Sequence, residues 1–164
     1  MRFRGRVWRF GDNVDTDVIV PGKYLKLSAE EAAVHVMEGI DPEFARKVEP
    51  GDIVVAGRNF GCGSSREVAP HALKLAGVSV VVAASFARIF YRNAFNLGLP
   101  VVECEAASSI DEGHILDVNL KAGSLTNLTT GEQFAIKPFP PHLLEMLEAG
   151  GLVPYLERRL SSSA

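Results

Sequence analysis

The chain has 164 residues, 47% hydrophobic and 23% charged, which suits one soluble domain with a sizeable core. A formal net charge of −3 gives no electrostatic footprint for nucleic acid or an anionic membrane, and no apolar run reaches the length of a membrane span. The two cysteines (Cys62, Cys104) and four histidines (His35, His71, His114, His142) are scattered without zinc or cluster spacing, so no metal is expected in this chain. The basic start, residues 1–6, is not followed by an apolar signal core, and the expected compartment is the cytoplasm.

Residues 3–10 alternate and carry aromatics, which predicts a strand ended by the turn Gly11-Asp12-Asn13. Residues 18–20 read as a short strand stopped by Pro21-Gly22. Ser28 with Glu31 is a capping box that opens a helix over 29–37, and Pro42 starts a short helical turn to residue 46. Residues 53–56 and the β-branched run 78–84 read as strands buried on both faces. Between them the spacing predicts a helix over 65–76, capped by Gly77. A second helix over 86–97, capped by Ser85, leads to a strand at 99–103. This strand–helix alternation implies parallel pairing through crossovers. Short antiparallel strands at 114–120, 124–127 and 133–136 follow, then a helix over 142–148 and a shorter one over 152–159, with a disordered tail at 160–164. The expected architecture is one α/β domain over 1–164, with a mixed parallel and antiparallel sheet or barrel flanked by helices.

The most informative segment is Asn59-Phe60-Gly61-Cys62-Gly63-Ser64-Ser65-Arg66-Glu67, at a strand-to-helix junction. Backbone N–H groups there are unpaired, the helix dipole favours an anion, and an arginine adds a carboxylate or phosphate grip. Gly61 and Gly63 suit close approach of a group to the backbone. The segment is neither a phosphate-binding loop, since the lysine is missing, nor a nucleophile elbow, since G-x-S-x-G is absent. Asp12, Asp15 and Asp17 superficially resemble a calcium loop but lack its glycine and closing glutamate, so a polar turn is the simpler reading; the functional alternative has Asp17 point into a site and pair with a cation. Phe86, Ile89, Phe90 and Asn93 fall on one helical face, chiefly for core packing, and Arg88 and Arg92 form a like-charged i,i+4 pair.

These segments, in this order, resemble the family of 3-isopropylmalate dehydratase small subunits, which corresponds to the swivelling domain of aconitases. The resemblance rests on residues 12–17 with Ile19 and Pro21, Tyr24-Leu25-Lys26-Leu27, Pro50-Gly51-Asp52-Ile53, residues 59–67 and residues 85–93, and covers residues 5 to about 155. It implies a hydro-lyase of leucine biosynthesis that isomerises 2-isopropylmalate to 3-isopropylmalate by dehydration and rehydration. It further implies a large-subunit partner that carries a 4Fe-4S cluster, in a heterodimer or heterotetramer. By the same resemblance Ser64 is the base, Ser65 bonds the substrate, Arg66 grips a carboxylate, Gly61 and Gly63 shape the turn, and Asp17 orients a cation or substrate group. The loop Tyr24, Leu25, Lys26, Leu27 and Ser28 would select the substrate. Leu25 and Leu27 suit an isopropyl group, whereas Lys26 keeps a homoaconitate-type substrate open. A free-standing anion-binding module and a purely structural subunit are the rival readings, and an inert isolated chain separates the first from the hydro-lyase.

Overall fold

Runs of fully apolar residues build the parallel half of the sheet. Every residue of β2 (Ile53–Ala56) and β3 (Val80–Ala83) is completely buried, as expected for strands covered on both faces. Each such valine or isoleucine contributes about 1.5–3 kcal/mol by leaving water. In the computed structural model, which describes residues 1–64 and 66–162, these strands join β1 (Arg2–Arg9), β4 (Val101–Glu103), β5 (Ile115–Asn119), β6 (Ser124–Asn127) and β7 (Gln133–Ala135). The seven form one curled sheet in the order β4-β3-β2-β1-β5-β6-β7.

β1 joins the two halves of the sheet. Its last residues pair in parallel with β2 (Val7 with Ile53, Arg9 with Val55), and its first residues pair antiparallel with β5 (Arg2 with Asn119, Arg6 with Ile115). On its outer face Arg2 meets Asp117 of β5 through two hydrogen bonds, Nε to Oδ1 at 2.8 Å and Nη2 to Oδ2 at 2.9 Å, and Arg4 adds a third at 3.2 Å. Trp8 Nε1 and the Glu49 N–H both donate to Asp52 Oδ2, which fixes the turn before β2.

Helices cover the sheet: α1 (Thr16–Ile19), α2 (Ala29–Ala33), α3 (Phe44–Lys47), α4 (Val68–Ala76), α5 (Arg88–Asn96), α6 (Pro141–Ala149) and α7 (Leu152–Ser162), with 3₁₀ turns at Gly22–Tyr24 and Glu105–Ser109. Among the described residues no helix is long and apolar enough to cross a membrane.

Several elements differ from the sequence reading. Residues 18–20 are not a strand; Thr16–Ile19 is one turn of helix, because the Asp15 side chain caps the Asp17 N–H at 2.7 Å. This local cap outweighs the β preference of Val18, Ile19 and Val20. α2 ends at Ala33 rather than near residue 37, since Met37, fully buried with φ 63°, donates its N–H to the Ile19 carbonyl instead of continuing the helix. Ser85 does not cap α5. Its hydroxyl accepts from the Asn59 N–H at 2.8 Å, Phe86 bridges to Phe60, and the helix starts at Arg88. Ile89 is 52% exposed, so it leaves the packed face that Phe90, Ala94 and Phe95 form. α7 continues through Ser162, into the stretch expected as a tail, and residues 163 and 164 lie outside the described residues.

Asp117 is held below the ordinary carboxylate range, foremost by the Arg2 hydrogen bond and also by Arg4, against the opposing effect of burial. Its folded pKa is depressed, so its stabilisation is complete above the unfolded value of about 3.9 and is lost as pH falls through the lower folded value. Asp117→Asn is expected to lower the melting temperature by roughly 2–4 °C at neutral pH. In melts across an acid series, the gap to wild type closes as the pH drops below about 3.9.

Candidate active site

The parallel pairing of β1 and β2 sends their carboxyl ends out on the same edge of the sheet, where ligands of open α/β sheets bind. One loop leaves β1 towards residues 12–17, and its neighbour leaves β2 towards residues 57–67. The two loops then pair with each other: the Gly61 N–H donates to the Val14 carbonyl and the Thr16 N–H to the Cys62 carbonyl, both at 2.8 Å, as a short parallel bridge between Asp15 and Cys62. At their base, Asn59 Nδ2 donates to Asn13 Oδ1 at 3.1 Å and the Asp12 carboxylate accepts from the Arg58 N–H at 2.7 Å.

Two glycines let the second loop lie this close. Gly61 has φ 83°, and a Cβ there would sit 2.2 Å from the Phe90 ring. Gly63 has φ 97°, and a Cβ there would sit 2.6 Å from the Asp15 carboxylate. Beneath them Phe60, Phe86 and Phe90 form a ring cluster, with centroids 5.3 Å apart between Phe60 and Phe90. The sequence expectation of close approach at both glycines holds, and the approaching groups belong to the chain itself.

Ser64 is exposed at the crest of the turn. Its carbonyl accepts from Thr16 Oγ1 at 3.0 Å and from the Arg66 N–H at 2.9 Å, and the Thr16 and Ser64 hydroxyl oxygens stand 3.4 Å apart. A hydroxyl has one hydrogen, so with Thr16 donating to the carbonyl, the Ser64 proton is the one left to point between the two oxygens. Arg66 donates from Nη1 to the Val20 carbonyl at 3.3 Å and forms an ion pair with Asp17. Its side chain is 21% exposed and that of Asp17 is 59% exposed. The fold therefore brings Ser64, Arg66, Asp17, Gly61 and Gly63 together. Ser65, the remaining candidate in the turn, lies outside the described residues.

Sequence reasoning overlooked Thr16. Its place between Asp15 and Asp17 looked like part of a polar turn, yet it is only 2% exposed. The one signal for it was a helix-capping Asp15 immediately before it, which would have turned the hydroxyl inward. The helix expectation needs correcting as well. α4 begins at Val68, after Gly61 and Cys62 have paired with residues 14–16, so neither Ser64 nor Arg66 sits in its first turn. The positive groups nearest Ser64 in sequence are the Arg66 side chain and backbone N–H rather than the helix end.

The loop expected to choose the substrate divides into two kinds of residue. Tyr24 donates its hydroxyl to Glu38 at 2.8 Å, and Ser28 and Glu31 close a capping box at the start of α2. Leu25 (43% exposed) and Lys26 are exposed, with Leu27 half-buried. A cavity of about 220 Å³ lies elsewhere, walled by Tyr91, Val102, Glu103, Lys137, Phe139 and Leu143 among others, and shares no residue with this surface.

The sequence model of the aconitase C-terminal domain matches residues 10–107, which include both loops. The chain belongs to the aconitase C-terminal domain family. It is 57% identical to the isopropylmalate/citramalate isomerase small subunit of Methanocaldococcus jannaschii, over 98% of the chain and 96% of that protein. It is 52% identical to the 3-isopropylmalate dehydratase small subunit of Thermodesulfovibrio yellowstonii, over 98% and 97%, and 60% identical to the methanogen homoaconitase small subunit of Methanothermobacter thermautotrophicus, over 92% and 88%. A crystal structure of 3-isopropylmalate dehydratase from Methanocaldococcus jannaschii superimposes with a TM-score of 0.94 at 44% identity, over 99% of this chain and 98% of that one. The curled mixed sheet with flanking helices is thus the fold of this family.

The chain has two cysteines, fewer than the thiolates that hold an iron–sulfur cluster. Burial, then the nearby Asp15, pushes the Cys62 thiol up, and burial is the main cause that raises Cys104. Among the described residues no group of three or more histidine, cysteine or acidic side chains is placed to hold a metal.

The two glycines separate stability from site geometry. Gly61→Ala is expected to cost about 1–3 kcal/mol by overpacking against Phe90, measured by urea unfolding. Gly63→Ala shares the strain of a left-handed backbone but meets the Asp15 carboxylate first rather than a core ring, so it is expected to cost less stability and to displace that carboxylate from the Asp17 N–H. Chemical-shift changes confined to residues 14–17 and 61–66 would show this.

Proposed function

We propose that the chain is the small subunit of a two-chain hydro-lyase that isomerises 2-isopropylmalate to 3-isopropylmalate in leucine biosynthesis, in the cytoplasm. The observation that carries the reading is the joint placement of the Ser64 hydroxyl and the Arg66 guanidinium on one exposed turn, braced by Thr16 and Asp17. The names of the relatives support the reaction and the small-subunit role. The chain acts as a single swivelling-type domain over 1–164, paired with a large subunit in a heterodimer or heterotetramer. That subunit carries the 4Fe-4S cluster, and no step assigned to this chain runs through it.

The part of the reaction given to this chain is the proton. Dehydration removes a hydrogen from the carbon beside a carboxylate and a hydroxyl from its neighbour, leaving an alkene and water. Rehydration adds the two back in exchanged positions. Ser64, as the alkoxide, takes the hydrogen as a proton and later returns it. An alkoxide needs unusual support. Thr16 Oγ1 lies within a rotation of its hydrogen from the Ser64 oxygen, and Arg66 adds positive charge in the same turn. Arg66 has five N–H donors, enough to bind a substrate carboxylate beside Asp17 and the Val20 carbonyl. Gly61 and Gly63 allow the turn to approach the substrate, Ser65 adds a hydrogen bond to it, and Leu25, Lys26 and Leu27 meet its variable group.

A homoaconitase small subunit is the second reading, favoured by the exposed Lys26 and by 60% identity to a protein of that name. Anaerobic reconstitution with the cognate large subunit, assayed on 3-isopropylmalate and on a homoaconitate-type tricarboxylate, decides between them. Wild type is expected to prefer isopropylmalate; activity confined to the tricarboxylate would transfer the assignment to the second reading, and inactivity on both with an intact cluster would sink the two together. Ser64→Ala is expected to lower kcat by roughly 10²–10⁴-fold with little change in KM. Thr16→Val is expected to lower kcat roughly tenfold, through loss of one supporting hydrogen bond.

A further inference from the structure

The segment 34–41, which follows α2, takes no part in the proposed chemistry, yet it contacts the loop 22–27 through Glu38. It is itself rigidly seated. Met37 is fully buried, adopts φ 63°, and donates its N–H to the Ile19 carbonyl at 2.9 Å. Ile19 ends α1, and the next carbonyl, that of Val20, is the one Arg66 binds. The residue after Met37 is Glu38, presented from this fixed turn next to the C-terminal end of α1.

Glu38 gathers three donors. Its Oε1 accepts from the Tyr24 hydroxyl at 2.8 Å and stands 3.7 Å from Lys23 Nζ, and its Oε2 accepts from His35 Nδ1 at 2.9 Å. The Tyr24 ring lies flat on the His35 ring, with centroids 3.9 Å apart and planes 6° apart, and the Lys23 ammonium sits 5.1 Å from the Tyr24 centroid. The hydrogen bonds from Tyr24 and then His35 hold the Glu38 carboxyl below its ordinary range. The donor set thus stabilises an ionised acceptor. Lys23 and Tyr24 belong to the short 3₁₀ turn Gly22–Tyr24, and the next two residues, Leu25 and Lys26, are exposed.

We propose that Glu38 is a positioning residue which, through Tyr24, fixes the pose of the 22–27 loop and thereby sets how sharply the enzyme separates an isopropyl group from a carboxylate. This rests on the hydro-lyase reading above for the loop's role in selection, and on the contacts alone for the anchor. It also changes the part given to Tyr24: with its hydroxyl donated to Glu38 and its ring covered by His35, it serves the loop rather than the substrate. A loop held at one end by a carboxylate presents Leu25 and Lys26 in one arrangement. A loop released from it samples several, and each costs affinity for the correct substrate more than for a poorer one.

Two variants test this from opposite ends of the same bond, Tyr24→Phe, which removes only the hydroxyl, and Glu38→Ala. In the full-length chain, hydrogen exchange of the amides of residues 22–27 is expected to rise about tenfold in both, the scale of one hydrogen bond to a charged acceptor. In the reconstituted complex, the ratio of kcat/KM on isopropylmalate to that on the homoaconitate-type substrate is expected to fall about tenfold through KM, with kcat within about twofold. Unchanged exchange in both variants overturns the anchor, and faster exchange with an unchanged ratio overturns its role in selection. Should the wild-type complex be inactive on both substrates while exchange responds as expected, the hydro-lyase reading fails and the anchor stands.

Discussion

The pairing of residues 14–16 with residues 61–62 is the contact on which the site depends. Two backbone hydrogen bonds of 2.8 Å join segments nearly fifty residues apart, and the Thr16 hydroxyl extends the connection to Ser64. Without it, the glycine turn would be an exposed loop whose serine and arginine had no fixed relation to Asp17. The pairing is available only because β1 and β2 run parallel and adjacent, so that their carboxyl ends deliver both loops to the same place. It is tight only because Gly61 and Gly63 leave room for the Phe90 ring and the Asp15 carboxylate. Sheet topology, core packing and site geometry are thus one constraint seen at three scales.

In the proposed reading the result is half of a site. Ser64 and Asp17 face outward, and the walls that would exclude water from an alkoxide are not supplied by the turn itself. This arrangement agrees with a division of labour in which one subunit contributes a base and a cation on a swivelling surface and the other closes over the substrate. The buried Thr16 hydroxyl matters in the proposed reading, because its oxygen is fixed in the core and only its hydrogen has to turn from the Ser64 carbonyl to support charge on the Ser64 oxygen.

Relatives that share this scaffold carry different substrate names, isopropylmalate, citramalate and homoaconitate, at similar identity. In the proposed reading, the glycine turn and its brace handle what such substrates have in common, a carboxylate and an acidic hydrogen beside it. In the same reading, the difference between them falls to a smaller element. The 22–27 loop starts two residues after the Val20 carbonyl that Arg66 binds, and its anchor on Glu38 belongs to a turn that is itself tied to α1. Selection and chemistry are therefore mechanically adjacent while using separate side chains.

Much of this was legible in the residues. The unbroken apolar runs at 53–56 and 80–83 announced the parallel half of the sheet, because a strand covered on both faces leaves no polar positions. The Gly-x-Gly turn with its serine and arginine marked the candidate site, and the capping box at Ser28 announced α2. Other features were decided only by tertiary contacts. The segment after Asp15 became a helical turn rather than a strand when Asp15 capped it. Ser85 gave its hydroxyl to Asn59 instead of to α5, and α4 began at Val68 after Gly61 and Cys62 were drawn into pairing with 14–16. Thr16 and Glu38 were invisible for the same reason: each acts through a partner that the linear spacing does not place beside it. Periodicity and turn chemistry are local properties and are written in the chain, whereas a hydroxyl's or carboxylate's choice among competing partners is made only when distant segments are brought within hydrogen-bonding distance.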